Sequence, residues 1–164
     1  MLTKETGKLK LAATGDREIV MTREFNAPRK MLFDAWTKPE LLKRWLAGPE
    51  GWTMSVCEID LKVGGSYRYE WTHRNGNKMG MGGVYREIVP NERIVATEKF
   101  DESWYPGGAV VKTMLIERGS VTTVETTVTY DSKEARDGVL QSPMDTGVSA
   151  SYDRLEKLLA TNFA

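Results

Sequence analysis

Few side chains in this sequence could carry nucleophilic or metal chemistry. His73 is the only histidine and stands beside the turn signal RNGN, and Cys57 is the only cysteine. One histidine cannot supply a histidine-rich metal site, and a Ser-His-Asp relay would have to use a side chain at a hairpin tip. Cys57 alternates with Ile59 and Leu61, which is typical of a buried apolar strand position. The sequence therefore predicts no metal site and no cofactor, and it favours a protein that is not an enzyme.

Four carboxylates in segments with strand character are the remaining candidates for acid–base chemistry: Glu58, Asp60, Glu70 and Glu98. A carboxyl group buried in an apolar pocket can have its pKa raised enough to act near neutral pH. We expect all four to occupy solvent-facing strand positions, and we therefore assign no catalytic residue.

The overall composition excludes several kinds of partner. Lysine plus arginine number 23 and aspartate plus glutamate number 23, so no net charge draws the protein to nucleic acid or to an anionic membrane. No apolar run is long enough to cross a bilayer, and the polar N-terminus lacks the apolar core of a secretory signal. The segment MGMGG lacks the Lys-Ser/Thr pair of a phosphate-binding loop and indicates a bend or a close backbone approach within a strand. Because a single cysteine forms no internal disulfide, we expect a cytoplasmic protein.

The strands and helices that must position these side chains can be predicted from changes in the spacing of apolar residues along the chain. KLKLAATGDREIVMTREF alternates on both sides of TGD and predicts a hairpin, and two short helices follow, the second opened by a capping box of Thr37 and Glu40. Turn signals at VGGS, RNGN, VPNE, YPGG and ERGS then divide the chain after Trp52 into six strands. The chain ends in a long helix whose apolar stripe must cover the sheet. We expect a short hairpin extension over residues 1–16 and a single domain over residues 17–164.

One hairpin determines which side chains face that helix. If RNG is a three-residue loop with Gly76 in the left-handed conformation, His73 pairs with Asn77, and every residue of the two strands has a defined neighbour. The inward-facing pairs are then Trp71 with Met79, Tyr69 with Met81, and Tyr67 with Gly83. Buried tyrosine and tryptophan need hydrogen-bond partners and methionine fills irregular space, which suits a ligand pocket, although a packed core is the alternative.

Other candidates for a ligand site are aromatic residues near element ends and the stripe of the terminal helix. Trp45 and Trp52 flank LAGPEG, where they fit either a cavity wall or plain packing, whereas Trp36 is assigned to the core. Trp104 and Tyr105 stand at the tip of the loop DESWYPGG, where they fit a lid, a partner surface or exposed side chains without a role. The residues assigned to ligand binding are Trp45, Trp52, Tyr67, Tyr69, Trp71, Met79, Met81, Trp104, Met144, Val148 and Tyr152.

Four segments, in this order, carry a family resemblance: REFNAPRKMLFDAWTKPELLKRWLAGPEGW, DLKVGGSYRY, GGVYREIVPNERIVATEKF and SPMDTGVSASYDRLEKLL. The resemblance covers about Arg17 to Leu159. In this order the segments resemble the SRPBCC superfamily of START and birch-pollen-allergen-like proteins, in the branch of the activator of the heat-shock-protein-90 ATPase. The resemblance implies an α+β helix-grip fold. In that fold a curved antiparallel sheet of about seven strands surrounds a long C-terminal helix, two short helices follow the first main strand, and an internal cavity is common.

Members of this superfamily differ in function, so the resemblance leaves three hypotheses. The first is binding of a small apolar molecule in an internal cavity, with no nucleic-acid or membrane partner. The second, implied by the name of the branch, is a co-chaperone-like interaction module in the stress response, with a chaperone or a second copy of the chain as partner. The third is an enzyme of cyclase or hydrolase type, similar to polyketide cyclases, that uses residues of the cavity.

Overall fold

The computed structural model describes residues 3–164 and has the predicted α+β helix-grip architecture. Within this range the chain forms nine strands and four helices. The strands are β1 (Thr3–Thr6), β2 (Leu9–Thr14), β3 (Glu18–Phe25), β4 (Trp52–Ile59), β5 (Ser66–His73), β6 (Lys78–Val89), β7 (Arg93–Phe100), β8 (Ala109–Arg118) and β9 (Val121–Tyr130). The helices are α1 (Arg29–Thr37), α2 (Pro39–Trp45), α3 (Lys133–Leu140) and α4 (Met144–Ala160).

All nine strands belong to one antiparallel sheet in the order β1-β2-β3-β9-β8-β7-β6-β5-β4. Alternation with a period of two explains the strands, and along β9 every second residue from Thr122 to Tyr130 is buried. The count is nine rather than about seven in part because β1 has the sequence TKET, which contains no apolar residue to mark it as a strand. It joins the sheet through pairing with β2.

The β5–β6 hairpin has the predicted register. Gly76 has a φ of +94°, and the backbone N–H of His73 donates to the carbonyl oxygen of Asn77 at 2.8 Å. From this turn the pairs follow as expected: Trp71 with Met79, Tyr69 with Met81, and Tyr67 with Gly83. The three-residue loop therefore determines which face of the sheet carries the aromatic residues.

The capping box predicted for α2 is wrong. Thr37 is the last residue of α1, and its hydroxyl donates to the carbonyl oxygen of Phe33 at 2.7 Å, so it does not cap the next helix. Lys38 is the N-cap of α2, with Pro39 at the first helical position. Because only one residue separates the helices, the threonine completes the first helix instead of opening the second.

Helix α4 packs on α2 and on strands β1 and β2. Arg23 links β3 to α4, because its buried guanidinium donates to Asp153 at 2.8 Å and to Glu156 at 3.2 Å, both on α4. Arg154 links α4 to the segment after α2 by donating to the carbonyl oxygen of Gly48 at 2.6 Å. Among the residues that the structure describes, α4 and the other helices are each too short or too polar to cross a membrane.

A closed aromatic core lies under the second half of α4. The ring of Tyr152 lies 5.7 Å from Phe25, 5.9 Å from Trp36 and 6.0 Å from Trp45, and the two tryptophan rings are 4.7 Å apart. Leu155, one turn further along α4, is fully buried. This part of the interior is filled by side chains, in agreement with the assignment of Trp36 to the core.

Candidate ligand-binding site

The aromatic face of β5 points into the molecule, as the register predicts. Tyr67, Tyr69, Trp71 and Met81 are each 5–8 % exposed. Met79 lies opposite Trp71 but is 37 % exposed, so the expectation that it is buried with them is wrong. It stands beside the exposed RNGN turn at the rim of the sheet, where the face is no longer covered.

The predicted tryptophans make structural contacts. The indole N–H of Trp45 donates to the carbonyl oxygen of Ala35 at 3.0 Å, and that of Trp71 donates to the carbonyl oxygen of Leu46 at 2.8 Å. Trp52 is partly buried, and its ring lies 5.1 Å from that of His73. The first two indole N–H groups therefore cannot orient a ligand without losing a hydrogen bond of the fold.

The inner face of the sheet is incompletely covered at its centre. Val111, in the middle of β8, is only partly buried although its side chain points inward. Its register partners are Ala96 on β7 and Val128 on β9, both of which are buried, so Val111 is far from either edge of the sheet. An inward-facing residue at this position keeps accessible surface only if the helix above it does not close onto the sheet.

The first half of α4 is tied to strand β1: the hydroxyl of Thr6 donates to the carboxylate of Asp145 at 2.6 Å, and the hydroxyl of Ser149 donates to the carbonyl oxygen of Thr6 at 2.9 Å. The hydroxyl of Tyr152 lies 3.5 Å from that of Thr126 on β9. Val148 and Met144, one and two turns earlier on the same helix face, therefore lie toward the Tyr130 end of β9. Both are partly exposed, unlike Tyr152. These two predicted residues, like Val111, therefore keep part of their surface accessible.

Glu98 lies on the inner face of β7, which contradicts the expectation of a solvent-facing position. Ile94 and Ala96 precede it at alternating positions and are both 8 % exposed, and Glu98 continues their face. It is in register with Ala109 on β8, which in turn is in register with Tyr130 on β9. The charged side chain enters the interior because β7 keeps its alternation up to its last residues.

Burial raises the pKa of Glu98 from 4.5 to about 7. Desolvation is the sole cause, so among residues 3–164 no cation and no hydrogen-bond donor offsets the cost of its charge. The side chain nevertheless keeps part of its surface accessible. Both properties are expected of a carboxyl group that is largely enclosed by protein but keeps some accessible surface.

Three tyrosines surround Glu98: Tyr67, Tyr105 and Tyr130. Burial raises the pKa of each hydroxyl well above its ordinary value, and the nearby charge of Glu98 raises it further. All three therefore stay protonated at neutral pH and can act as donors. The hydroxyl of Tyr67 donates to the carbonyl oxygen of Thr97 at 2.5 Å, whereas that of Tyr105 is buried and has no partner within residues 3–164.

A local break in the β6–β7 ladder adjoins Glu98. Gly82 pairs with Lys99 and Tyr85 with Ala96, but the two residues that lie between these pairs on each strand form no register pair. A Cβ atom on Gly83 would lie 1.9 Å from the carbonyl oxygen of Thr97, so only glycine fits here. This close backbone approach turns the Thr97 carbonyl toward the hydroxyl of Tyr67.

The β7–β8 loop places Tyr105 inside and Trp104 outside. Tyr105 is 5 % exposed and its ring meets that of Tyr130 edge-on at 5.3 Å, whereas Trp104 is 51 % exposed. The carboxylate of Asp131 accepts the backbone N–H of Gly108 at 2.9 Å and so ties the loop to the end of β9. The sequence places Tyr105 beside Trp104 at the loop tip and does not assign it to the interior, because alternation gives no information in a loop.

Cys57 and His73 are reactive side chains that lie outside the surroundings of Glu98. In the part of the chain that the structure describes, His, Cys, Asp and Glu form no cluster of three or more able to hold a metal. Burial raises the pKa of Cys57 to about 11, so it is almost entirely a thiol at neutral pH. The Nδ1 atom of His73 accepts the backbone N–H of Asn75 at 3.1 Å.

A shallow surface groove of about 260 Å³ shares Tyr67 with the Glu98 region. Its lining is mainly polar: Glu58, Ile59, Asp60, Ser66, Tyr67 and Arg68. The guanidinium of Arg68 already forms two hydrogen bonds with the carboxylate of Asp101, at 2.6 and 2.5 Å. This polar groove is therefore poorly suited to an apolar molecule.

Comparisons with known proteins agree with this architecture. The sequence model of the family described as "Activator of Hsp90 ATPase homolog 1-like protein" matches residues 26–160. A crystal structure from Rhodobacter sphaeroides is 30 % identical with a TM-score of 0.89, over 94 % of this chain and 99 % of that chain. A crystal structure from Nitrosomonas europaea is 24 % identical with a TM-score of 0.79, over 92 % of this chain and 98 % of that chain. A solution structure from Arthrobacter aurescens is 21 % identical with a TM-score of 0.80, over 92 % of this chain and 91 % of that chain. Both share the fold. No curated protein matches the sequence.

Proposed function

Since the chain belongs to the family of Activator of Hsp90 ATPase homolog 1-like proteins, we propose that it uses this fold to bind a small, largely apolar molecule between the sheet and α4. The observation that supports the proposal most strongly is the accessible surface of Val111 at the centre of the sheet. A helix that served only to complete a core would close over this residue, whereas other inward-facing strand residues, such as Val124 and Ile19, are fully buried.

The side chains around this space have the composition of a binding site. Val111, Met144 and Val148 are apolar, and the methionine side chain adapts its shape to what it contacts. Two polar groups, the carboxyl of Glu98 and the unpartnered hydroxyl of Tyr105, are available beside them. Small-molecule sites combine an apolar lining with a small number of polar groups that orient the ligand.

The test is a binding titration with two adjacent substitutions. We expect 2-naphthalenemethanol to bind the wild-type protein saturably in calorimetry, and Val111→Phe to weaken binding at least tenfold because the added ring fills the space. Val110→Phe is the matched control, since Val110 is the next residue along β8 and points to the opposite face of the sheet. Absence of saturable binding to the wild type, or equal weakening by the two variants, would contradict the proposal.

The family name supports a second candidate function, stimulation of the Hsp90 ATPase, and one surface feature favours it. Leu61, Val63 and Val84 are 41 %, 66 % and 42 % exposed, and the backbone N–H of Gly64 donates to the carbonyl oxygen of Tyr85 at 2.8 Å, which brings the two segments together. Exposed apolar side chains that adjoin one another are typical of a protein contact. An ATPase assay with Hsp90 from the same organism tests this candidate: acceleration that Val63→Ser abolishes would support it, and an unchanged rate would exclude it.

A further inference from the structure

Glu98 is an inward-facing carboxyl group to which no ion pair is assigned among residues 3–164. Tyr67 approaches it from β5 across Gly83, and Tyr130 lies on the other side across Ala109. Tyr105 comes from the β7–β8 loop, with its ring 5.3 Å from that of Tyr130. The carboxyl group therefore has three tyrosines as neighbours, one of them with a hydroxyl that has no partner among residues 3–164, and it keeps part of its own surface accessible.

The charges near this group leave it without a counter-ion. The other buried charge on the same face, Arg23, is paired with Asp153 and Glu156 under α4. The titratable groups whose pKa values Glu98 perturbs are the three tyrosines, and among residues 3–164 no lysine, arginine or histidine contributes to the pKa of Glu98. On β8 its register partner is Ala109. An ionised carboxylate at this position gains stability from any cation that enters the space.

We propose that the ligand is an organic cation, a protonated amine on an apolar body, whose nitrogen lies at the Glu98 carboxylate among the rings of Tyr67, Tyr105 and Tyr130. This inference rests on the proposed function and names the class of ligand. Aromatic ring faces attract ammonium groups, and a carboxylate strengthens that attraction through a charge-assisted hydrogen bond. The apolar body of the ligand then contacts Val111, Met144 and Val148.

The experiment compares two probes of the same shape, 2-naphthalenemethylamine and 2-naphthalenemethanol, by calorimetry at pH 8. We expect the wild-type protein to bind the amine at least tenfold more tightly than the alcohol. Glu98→Gln keeps the shape of the side chain and removes its charge, so this preference should vanish. Glu125→Gln is the matched control, because Glu125 lies on central strand β9 with its side chain on the outer face, and it should keep the full preference.

A pH series on the wild type provides a second measurement that does not depend on a variant. Because Glu98 becomes protonated as the pH falls through about 7, amine affinity should drop about tenfold between pH 8 and pH 6, while affinity for the alcohol stays constant. The amine probe remains protonated over this range.

Each outcome separates this inference from the proposed function. Equal affinities of the wild type for the two probes, or a preference that persists in Glu98→Gln, would overturn the amine assignment and leave ligand binding in place. If the wild type binds neither probe, both the proposed function and this inference fail.

Discussion

The substitution Glu98→Gln should stabilise the protein, and it should do so only above the acidic range. In the unfolded chain the carboxyl group titrates near 4.5, whereas in the folded protein burial raises its pKa to about 7. Below pH 4.5 the group is protonated in both states and the wild type carries no penalty. Between pH 4.5 and 7 the folded state binds more protons than the unfolded state, so the stability of the wild type falls as the pH rises. Above pH 7 the penalty is complete and constant.

The size of the effect follows from the two pKa values. At about 1.4 kcal/mol per pKa unit, a rise from 4.5 to about 7 corresponds to about 3 kcal/mol. Because part of the carboxyl surface is accessible, water screens some of this cost and the figure is an upper bound. We therefore expect Glu98→Gln to match the wild type at pH 4.5 and to exceed its free energy of unfolding by up to about 3 kcal/mol at pH 8.

Urea denaturation at half-unit steps from pH 4.5 to pH 8.5 measures this difference. The control is Glu125→Gln, the same chemical change on the outer face of β9, for which we expect less than about 0.5 kcal/mol at every pH. If the wild type and Glu98→Gln show parallel stability curves across this range, Glu98 is solvated and the inward placement of its charge is refuted.

Three further predictions concern the surroundings of the site. Gly83→Ala should lower the free energy of unfolding, measured by urea denaturation, by more than about 2 kcal/mol, because its Cβ would collide with the carbonyl oxygen of Thr97. Gly147→Ala is the control: its Cβ on α4 meets open space, so this variant should raise the free energy of unfolding by up to about 1 kcal/mol. The thiol of Cys57 should react with a disulfide reagent at pH 8 about 100-fold more slowly than a thiol of pKa 9, and a fast reaction in the native state would contradict its burial. Acrylamide should quench a component of the tryptophan fluorescence that Trp104→Phe removes, and a persistent component would show that another tryptophan is equally exposed.

Much of the fold is predictable from the sequence because local rules determine it. The RNG loop sets the register of β5 and β6, and the apolar stripe of α4 predicts the helix that covers the sheet. These local rules fail where neighbouring elements determine the structure of a segment. Strand β1 has no apolar residue and exists because it pairs with β2, and Thr37 completes α1 because only Lys38 separates that helix from α2.

The candidate site is less predictable than the fold. Glu98 shares the alternation of Ile94 and Ala96, so the period-two pattern was a signal that could have placed it inside. Its charge favoured the opposite, solvent-facing placement. Tyr105 had no comparable signal, because its inward position depends on the loop contact between Asp131 and Gly108, which are distant in sequence. Val111 is recognisable only once the position of α4 over the sheet is known.

The most direct test of ligand binding beneath α4 is to locate a bound probe. Crystals soaked with 6-bromo-2-naphthalenemethanol should give an anomalous bromine peak in contact with Val111, Met144 and Val148. A peak confined to the exposed surface around Trp104, or no ordered peak at all, would contradict the proposal that this space is the binding site.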